Sequence, residues 1–205
     1  MGLKLLKLIY KLINTPFLFL KVCYRYLFHY LGPNAKKLLL KEVIINGNAP
    51  RCNQKTFFSG LGKIEIGSNC KFGFKPGGFF RGGSIEFQAR SKNARIFIGE
   101  NISTNNNIFI CAVNFVRIGS KTLIGQYVTI IDHEAHGIDP DKRNQIGEIG
   151  RVEIGNNVWI GNNVTILKNS EIGDNTIVAT GAIVTGKFPA NVIIGGVPAK
   201  IIREL

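Results

Sequence analysis

The residues best suited to chemistry in this 205-residue chain lie in one short run, Asp132-His133-Glu134-Ala135-His136-Gly137, which holds two of the three histidines. An imidazole is basic near neutrality, so it can take a proton from a hydroxyl as that oxygen attacks an electrophile. A neighbouring carboxylate, Asp132 or Glu134, can orient the ring. The run opens a stretch from Asp132 to Gly150 that contains Pro140 and six charged side chains between Asp132 and Arg143. So polar a segment cannot fill a core, and long loops on rigid scaffolds carry function. The third histidine, His29, lies in a basic amphipathic segment and reads as structural.

The element that must position these side chains is a repeat. From Arg151 to Lys187 an aliphatic residue returns every six positions, at Ile154, Ile160, Ile166, Ile172, Val178 and Val184. A small or β-branched residue follows four positions later, at Val158, Val164, Ser170, Thr176 and Ala182, with Phe188 the bulky exception. Gly155, Gly161 and Gly173, followed by Asn-Asn or Asp-Asn, supply corners, because glycine and asparagine tolerate positive φ. A period of six matches neither a helix nor long alternation and predicts a solenoid of very short strands. Three hexads would close one coil, placing Ile154 under Ile172, Ile160 under Val178 and Ile166 under Val184. Successive coils would pair as parallel strands about 4.8 Å apart. The repeat begins weakly at Ile64 to Lys71, meets a glycine- and aromatic-rich irregular turn at residues 73–84, and resumes at Ile98, Thr104 and Ile110. Two residues are inserted before Ile118, after which Ile118, Ile124 and Ile130 lead to the histidine loop.

The stretches IGNNVWIGNNVTI (154–166), VATGAIVTGKFP (178–189) and GGVPAKIIREL (195–205), with the histidine loop, resemble the hexapeptide-repeat acyltransferases over roughly residues 95–205. The chain is most similar to their sugar and polysaccharide O-acetyltransferase branch, which includes galactoside and maltose acetyltransferases and enzymes that decorate capsule or lipopolysaccharide. The resemblance implies an all-β fold, a left-handed parallel β-helix of hexapeptide repeats, an exception to the right-handed crossover rule. It also implies acetyl-CoA as co-substrate without a metal, a sugar or glycan acceptor, a homotrimer with its sites between prisms, and a histidine general base. The family's loop reads Asp-His-x-His-Gly, one residue shorter than here. His-Gly followed by Ile-Asp-Pro favours His136 as the base, with His133 the alternative. Carried over residue by residue, Asn105, Asn107, Asp132 and Trp159 fall to the acceptor side, with Trp159 pointing outward. Thr180, Gly181 and Thr185 fall along the pantetheine arm, and Lys187, Lys200 and Arg203 near the coenzyme's phosphates, where charge-assisted contacts are expected. Competing readings are a sugar N-acyltransferase, a non-catalytic β-helix binding protein, and a γ-type carbonic anhydrase, whose three zinc-binding histidines find no match in two histidines of one loop.

Twenty-six basic residues against 13 acidic ones give a net charge of +13 and point to anionic partners. No nucleic-acid motif is present, so nucleic acid is not the expected partner. Residues 1–41 hold Lys4, Lys7, Lys11, Lys21, Arg25, Lys36, Lys37 and Lys41 and no acid. Their longest uncharged stretch, Leu12 to Leu20, is shorter than the about 20 residues a spanning helix needs. Residues 1–45 therefore read as a basic amphipathic α-helical segment, split by Pro16 and stopped at Gly32-Pro33. It either lies on an anionic membrane surface or packs on the prism. The β-helix is expected over residues 46–188, with an excursion at 132–150, and a tail over 189–205. The chain reads as cytoplasmic and peripheral at the inner face of the cell membrane. Cys23, Cys52, Cys70 and Cys111 show no paired or metal-ligand spacing and read as reduced, with Cys52 and Cys70 placed to stack on adjacent coils.

Overall fold

The computed structural model describes residues 15, 16, 19, 20, 23–40 and 42–205; the face read for Lys4, Lys7 and Lys11 lies outside the described residues. From Val43 onward the chain winds as a three-faced parallel coil. Seven strands make the first face, from Val43–Ile45 to Lys187–Phe188, and six make the third, from Thr56–Gly60 to Ile183–Val184. The second face has seven parallel strands, from Arg51–Cys52 to Val192–Gly196, and an eighth, antiparallel strand, Ala199–Glu204, folded back over its edge. That return covers a row of backbone groups otherwise open to pairing with another chain.

The register follows the six-residue period. Ile154 pairs with Ile172, Ile160 with Val178 and Ile166 with Val184. These side chains and those stacked on them are almost wholly buried, at 3% exposure or less. Each such side chain contributes about 1.5–3 kcal/mol through burial. The insertion before Ile118 is present: Ile98 pairs with Ile118 and Ile110 with Ile130. Ile118 in turn pairs with Ile154, so the histidine loop leaves the coil and returns without disturbing its stacking.

Within the coil, three expectations give way to the structure. Cys52 stacks on Phe72, because the coil there is two residues longer than the regular eighteen, and Cys70 instead points its thiol at the carbonyls of Gly67 and Gly99. Phe188 pairs with Ile172, so it closes a shortened coil in an aliphatic position rather than filling a small-residue one. The corners also divide their chemistry differently. Asn157, Asn163 and Asn175 take the positive φ, at 55°, 55° and 58°. Gly155, Gly161 and Gly173 are glycine because a Cβ would meet atoms of the next coil at 2.4, 2.6 and 2.3 Å.

The wide N-terminal end of the prism is filled by Phe58, Phe72 and Phe87, whose ring centroids lie 4.9–5.6 Å apart along the chain of contacts. A π-helical stretch, Arg25–Leu31, runs directly into an α-helix, Gly32–Leu39, and the two cap this end. Gly32-Pro33 therefore lies inside one continuous helical run instead of stopping it, with the Gly32 N–H still donating to the Leu27 carbonyl of the preceding turn. Asn34 is fully buried and docks the cap: its Nδ2 donates to the Tyr30 and Thr56 carbonyls, and its Oδ1 accepts from the Phe58 N–H at 2.6 Å. His29 Nδ1 adds a contact to the Asn53 carbonyl at 2.8 Å. Among the described residues no helix is long and apolar enough to cross a membrane.

Candidate active site

The insertion before Ile118 and the histidine loop meet at one corner of the prism. Between the strands Phe109–Ala112 and Phe115–Ile118, the extra residues turn three successive N–H groups inward onto Asp132. Asp132 Oδ1 accepts from Val113 N at 2.8 Å, and Oδ2 accepts from Asn114 N at 2.8 Å and Phe115 N at 2.7 Å. The fourth partner, on Oδ1, is His133 Nδ1 at 2.9 Å. Both residues are buried.

Because every oxygen of Asp132 receives a donor, the ring proton of His133 sits on Nδ1. Arg90 Nη1 donates to Nε2 at 3.2 Å, which requires a lone pair there and specifies the same tautomer. The guanidinium is steadied by Gln88, whose Oε1 accepts from Arg90 Nε at 3.0 Å and Nη2 at 2.8 Å. The Cys111 thiol donates to the same oxygen at 3.2 Å. Burial pushes this thiol up to about 11, with nearby Arg90 pulling the other way, so it is protonated at neutral pH. The site thus presents one basic nitrogen and no thiolate.

The rest of the loop is tied to itself. Glu134 N donates to the Glu148 carbonyl and Gly150 N to that of Asp132, and His133 forms a β-bridge with Ile149. Glu134 turns away from both rings and, with Glu148, holds Lys168; that ion pair lowers the Glu148 carboxyl and raises the Lys168 ammonium. His136 is exposed in the loop, its Nδ1 at 2.6 Å from the Arg143 carbonyl. Of the expected acceptor residues, Asp132 lies beneath the ring rather than facing solvent. Asn105 and Asn107 sit at the far corner of the third face beside the 73–84 turn, which the buried Asn106 between them holds by accepting from the Phe74 N–H and donating to the Phe74 and Gly78 carbonyls, while Asn107 Oδ1 accepts from Gln54. Trp159 points outward at 55% exposure, but from the second face, between Leu123 and Ile177. Thr180 and Gly181 lie at the corner between the second and third faces, and Thr185 follows the last strand of the third. Lys187 pairs with Glu171 at 2.7 Å, while Lys200 and Arg203 stand exposed on the returning strand. One chain therefore gathers His133, Asp132 and Arg90, but not Trp159 or the basic tail.

Arg90, Gln88, Cys111 and the buried Asn106 are not singled out by the sequence reading. Their signal is alternation: in Ile85–Ala89 the residues Ile85, Phe87 and Ala89 face inward, which sends Gln88 and Arg90 outward beside Cys111. Among the described residues no group of three or more His, Cys, Asp or Glu is placed to hold a metal ion.

A three-faced hexad coil with a carboxylate-held histidine at its one long excursion defines a hexapeptide-repeat transferase. The pattern of the family described as bacterial transferase hexapeptide (six repeats) matches residues 151–186. An Escherichia coli K12 protein assigned as the lipopolysaccharide biosynthesis O-acetyl transferase WbbJ is 35% identical over 155 residues, covering 70% of this chain and 72% of that one. The galactoside O-acetyltransferase of the same organism is 39% identical over 117 residues, 56% of this chain and 57% of its own. The solved galactoside acetyltransferase in complex with coenzyme A superposes with a TM-score of 0.53 at 26% identity, covering 88% of this chain and 76% of that one. The chain belongs to the hexapeptide-repeat acetyltransferases: it is a left-handed parallel β-helix and an enzyme of acetyl transfer from acetyl-CoA.

Proposed function

We propose that the chain is an O-acetyltransferase that acts on a sugar hydroxyl of a surface polysaccharide or its precursor, with His133 as general base. The observation that carries this is the Asp132–His133 pair: a buried carboxylate fixes the ring so that Nε2 alone can accept a proton. His136, whose loop pattern favours it in the sequence, has its Nδ1 against a backbone carbonyl and lacks a carboxylate partner. Arg90 covers Nε2 and, among the described residues, is hydrogen-bonded only to Gln88 besides the ring. Rotation of that arginine admits the acceptor hydroxyl. His133 then removes its proton as the oxygen attacks, and Asp132 steadies the imidazolium that forms.

Acetyl-CoA, when bound, would supply the thioester carbonyl that is attacked; its C–S bond breaks as the ester forms, and the departing coenzyme A thiolate takes up the proton held on His133. Open space at two corners beside the third face supports a long flexible ligand there. The coil glycines 155, 161 and 173 are crowded, yet a Cβ on Gly181 or Gly186 would meet nothing within 4 Å. Gly181 stands beside exposed Thr180, and Gly186 beside exposed Thr185 and Lys187. Lys200 and Arg203 remain available for phosphates. Because Trp159 and the apolar neighbour Leu123, 52% exposed, lie on a different face from His133, a second prism supplying that face would complete each site. This supports a homotrimer with three sites between chains. The acceptor assignment is supported by the relatives, an O-acetyl transferase of lipopolysaccharide biosynthesis and a galactoside O-acetyltransferase.

The test is acetyl-CoA turnover against a panel of bacterial glycans. His133→Ala should lose about 10²–10⁴-fold in kcat, the contribution of a positioned base, while His136→Ala stays within a few-fold. Full activity in His133→Ala would end the general-base assignment.

A further inference from the structure

The irregular turn at 73–84 builds a second feature on the same face as the histidine. Phe79 from the turn and Tyr127 from the coil meet edge to face, ring centroids 5.2 Å apart and planes at 66°. Together with Phe109, Glu86 and Ser84 they line an open cleft of about 510 Å³. Both aromatic residues are exposed, Phe79 at 64% and Tyr127 at 40%, so the coil's core does not account for them.

Their backbones make the placement more pointed. Phe79 and Tyr127 each have φ of +56°. A bulky side chain in this region carries strain, and such residues concentrate at ligand clamps. The corner occupied by Tyr127 shows what the fold itself prefers: the equivalent positions in other coils are Asn107, Asn163 and Gly181. An asparagine would satisfy the corner, yet the sequence places a phenol there, opposite a second aromatic in the same conformation.

Register ties the cleft to the catalytic corner. Phe109 pairs with Thr129, and Glu86 pairs with Phe109, on the outer side of the third face. Four residues along the strand from Thr129 lies His133, on the order of 13 Å at the rise of extended chain. Gln88 and Cys111 occupy the interval on adjacent strands. A single sugar ring at His133 does not reach the cleft, whereas a linear oligosaccharide along the strands does. The ligand class follows from the lining. A pyranose has a face of C–H bonds that an aromatic ring covers and a rim of hydroxyls that a carboxylate and a serine can accept, the mixture found here.

We infer that the Phe79–Tyr127 cleft is a distal acceptor subsite that binds a sugar unit of a glycan chain while another unit of that chain is acetylated at His133. This rests on the proposed sugar acetylation and adds that the acceptor is an oligosaccharide or polymer held at two places.

The experiment uses the full chain, acetyl-CoA and bacterial polysaccharides hydrolysed to size-separated fragments, from monosaccharide to long oligosaccharide. The readout is the ratio of kcat/KM for long over short acceptors. Wild type should favour long fragments. Tyr127→Asn and Phe79→Asn, which place at each position a residue suited to its backbone, should lower that ratio about tenfold, as expected for loss of one stacking contact. Mass in solution should be unchanged, and the melting temperature should not fall, because asparagine suits each backbone position. An unchanged ratio in both variants, or no length preference in wild type, would overturn the subsite. A loss of assembly in either variant would assign the cleft to subunit packing and also overturn it. Absence of acetyl transfer to any sugar, in wild type as in His133→Ala, would instead refute the acceptor class itself.

Discussion

Asp132 to asparagine is the most discriminating single substitution in the chain. The carboxylate accepts four N–H donors, two on each oxygen. An asparagine amide must point its NH₂ either at Val113 N and His133 or at Asn114 N and Phe115 N, so a donor faces donors whichever way it is turned. Buried hydrogen bonds to a charged group are worth about 1.5–3 kcal/mol each, and the substitution should cost about 3 kcal/mol or more of stability. Activity should fall further than stability explains, by about 10²-fold or more in kcat with KM little changed, because the ring loses its fixed tautomer. Thermal melts and steady-state kinetics on one preparation separate the two effects. A near-normal kcat with a lowered melting point would make Asp132 purely structural. The Asp-His run itself is legible in the sequence. Which histidine the structure holds against a carboxylate is not, because the N–H groups that bind Asp132 come from an insertion some twenty residues upstream, and no local pattern joins the two.

The coil was legible to the level of individual stacked pairs, since its period fixes which residues share a depth in the prism. What the period does not contain is the division of labour at the corners. Glycine followed by asparagine reads as a joint turn signal, yet in each coil the two residues answer different demands, clearance at glycine and left-handed backbone at asparagine. Gly161→Ala and Asn163→Gly test that division. The added methyl at Gly161 would stand 2.6 Å from Thr180 N and 2.9 Å from its Cα, backbone that cannot move without separating two coils. Overpacking of this kind costs about 1–3 kcal/mol. Asn163 already adopts φ +55°, which glycine takes freely, so Asn163→Gly should change stability by only a few tenths of a kcal/mol. Urea midpoints should show the first variant clearly weakened and the second near wild type. The reverse order would mean that asparagine's side chain, not its backbone, holds the corner. The two-residue changes of coil length at Cys52 and Phe188 escaped the sequence reading for a related reason: near either end of the prism too few hexads remain to fix the phase.

The molecule as a whole is polarised, with its catalytic corner in the middle of the prism and a helical cap closing the wide end. The cap is amphipathic in a specific sense. Tyr30 and Asn34 are buried against Phe58, whereas Phe19, Leu20, Tyr24, Leu27 and Phe28 remain 48–68% exposed. Residues 1–41 add eight basic side chains and no acidic one. Exposed apolar side chains on a segment this rich in basic residues are what an anionic bilayer surface binds, with each basic residue near the surface worth about 1 kcal/mol in low salt. A cap that only packed on the prism would not leave those apolar side chains outside. We therefore expect the full chain to float with vesicles of phosphatidylglycerol and phosphatidylcholine and to remain behind with phosphatidylcholine alone, the bound fraction falling as salt rises from 0.05 to about 0.5 M. A chain beginning at Cys23 keeps the docking contacts of His29, Tyr30 and Asn34 and so should stay folded, yet lose most of its flotation. Equal flotation of the two chains would move the attachment to the exposed apolar side chains of the cap that remain, Tyr24, Leu27 and Phe28, and serine at those three positions would then have to abolish it. Binding to neither vesicle would leave the basic segment without a membrane role and remove the reason for placing acetyl transfer at the cell's inner surface.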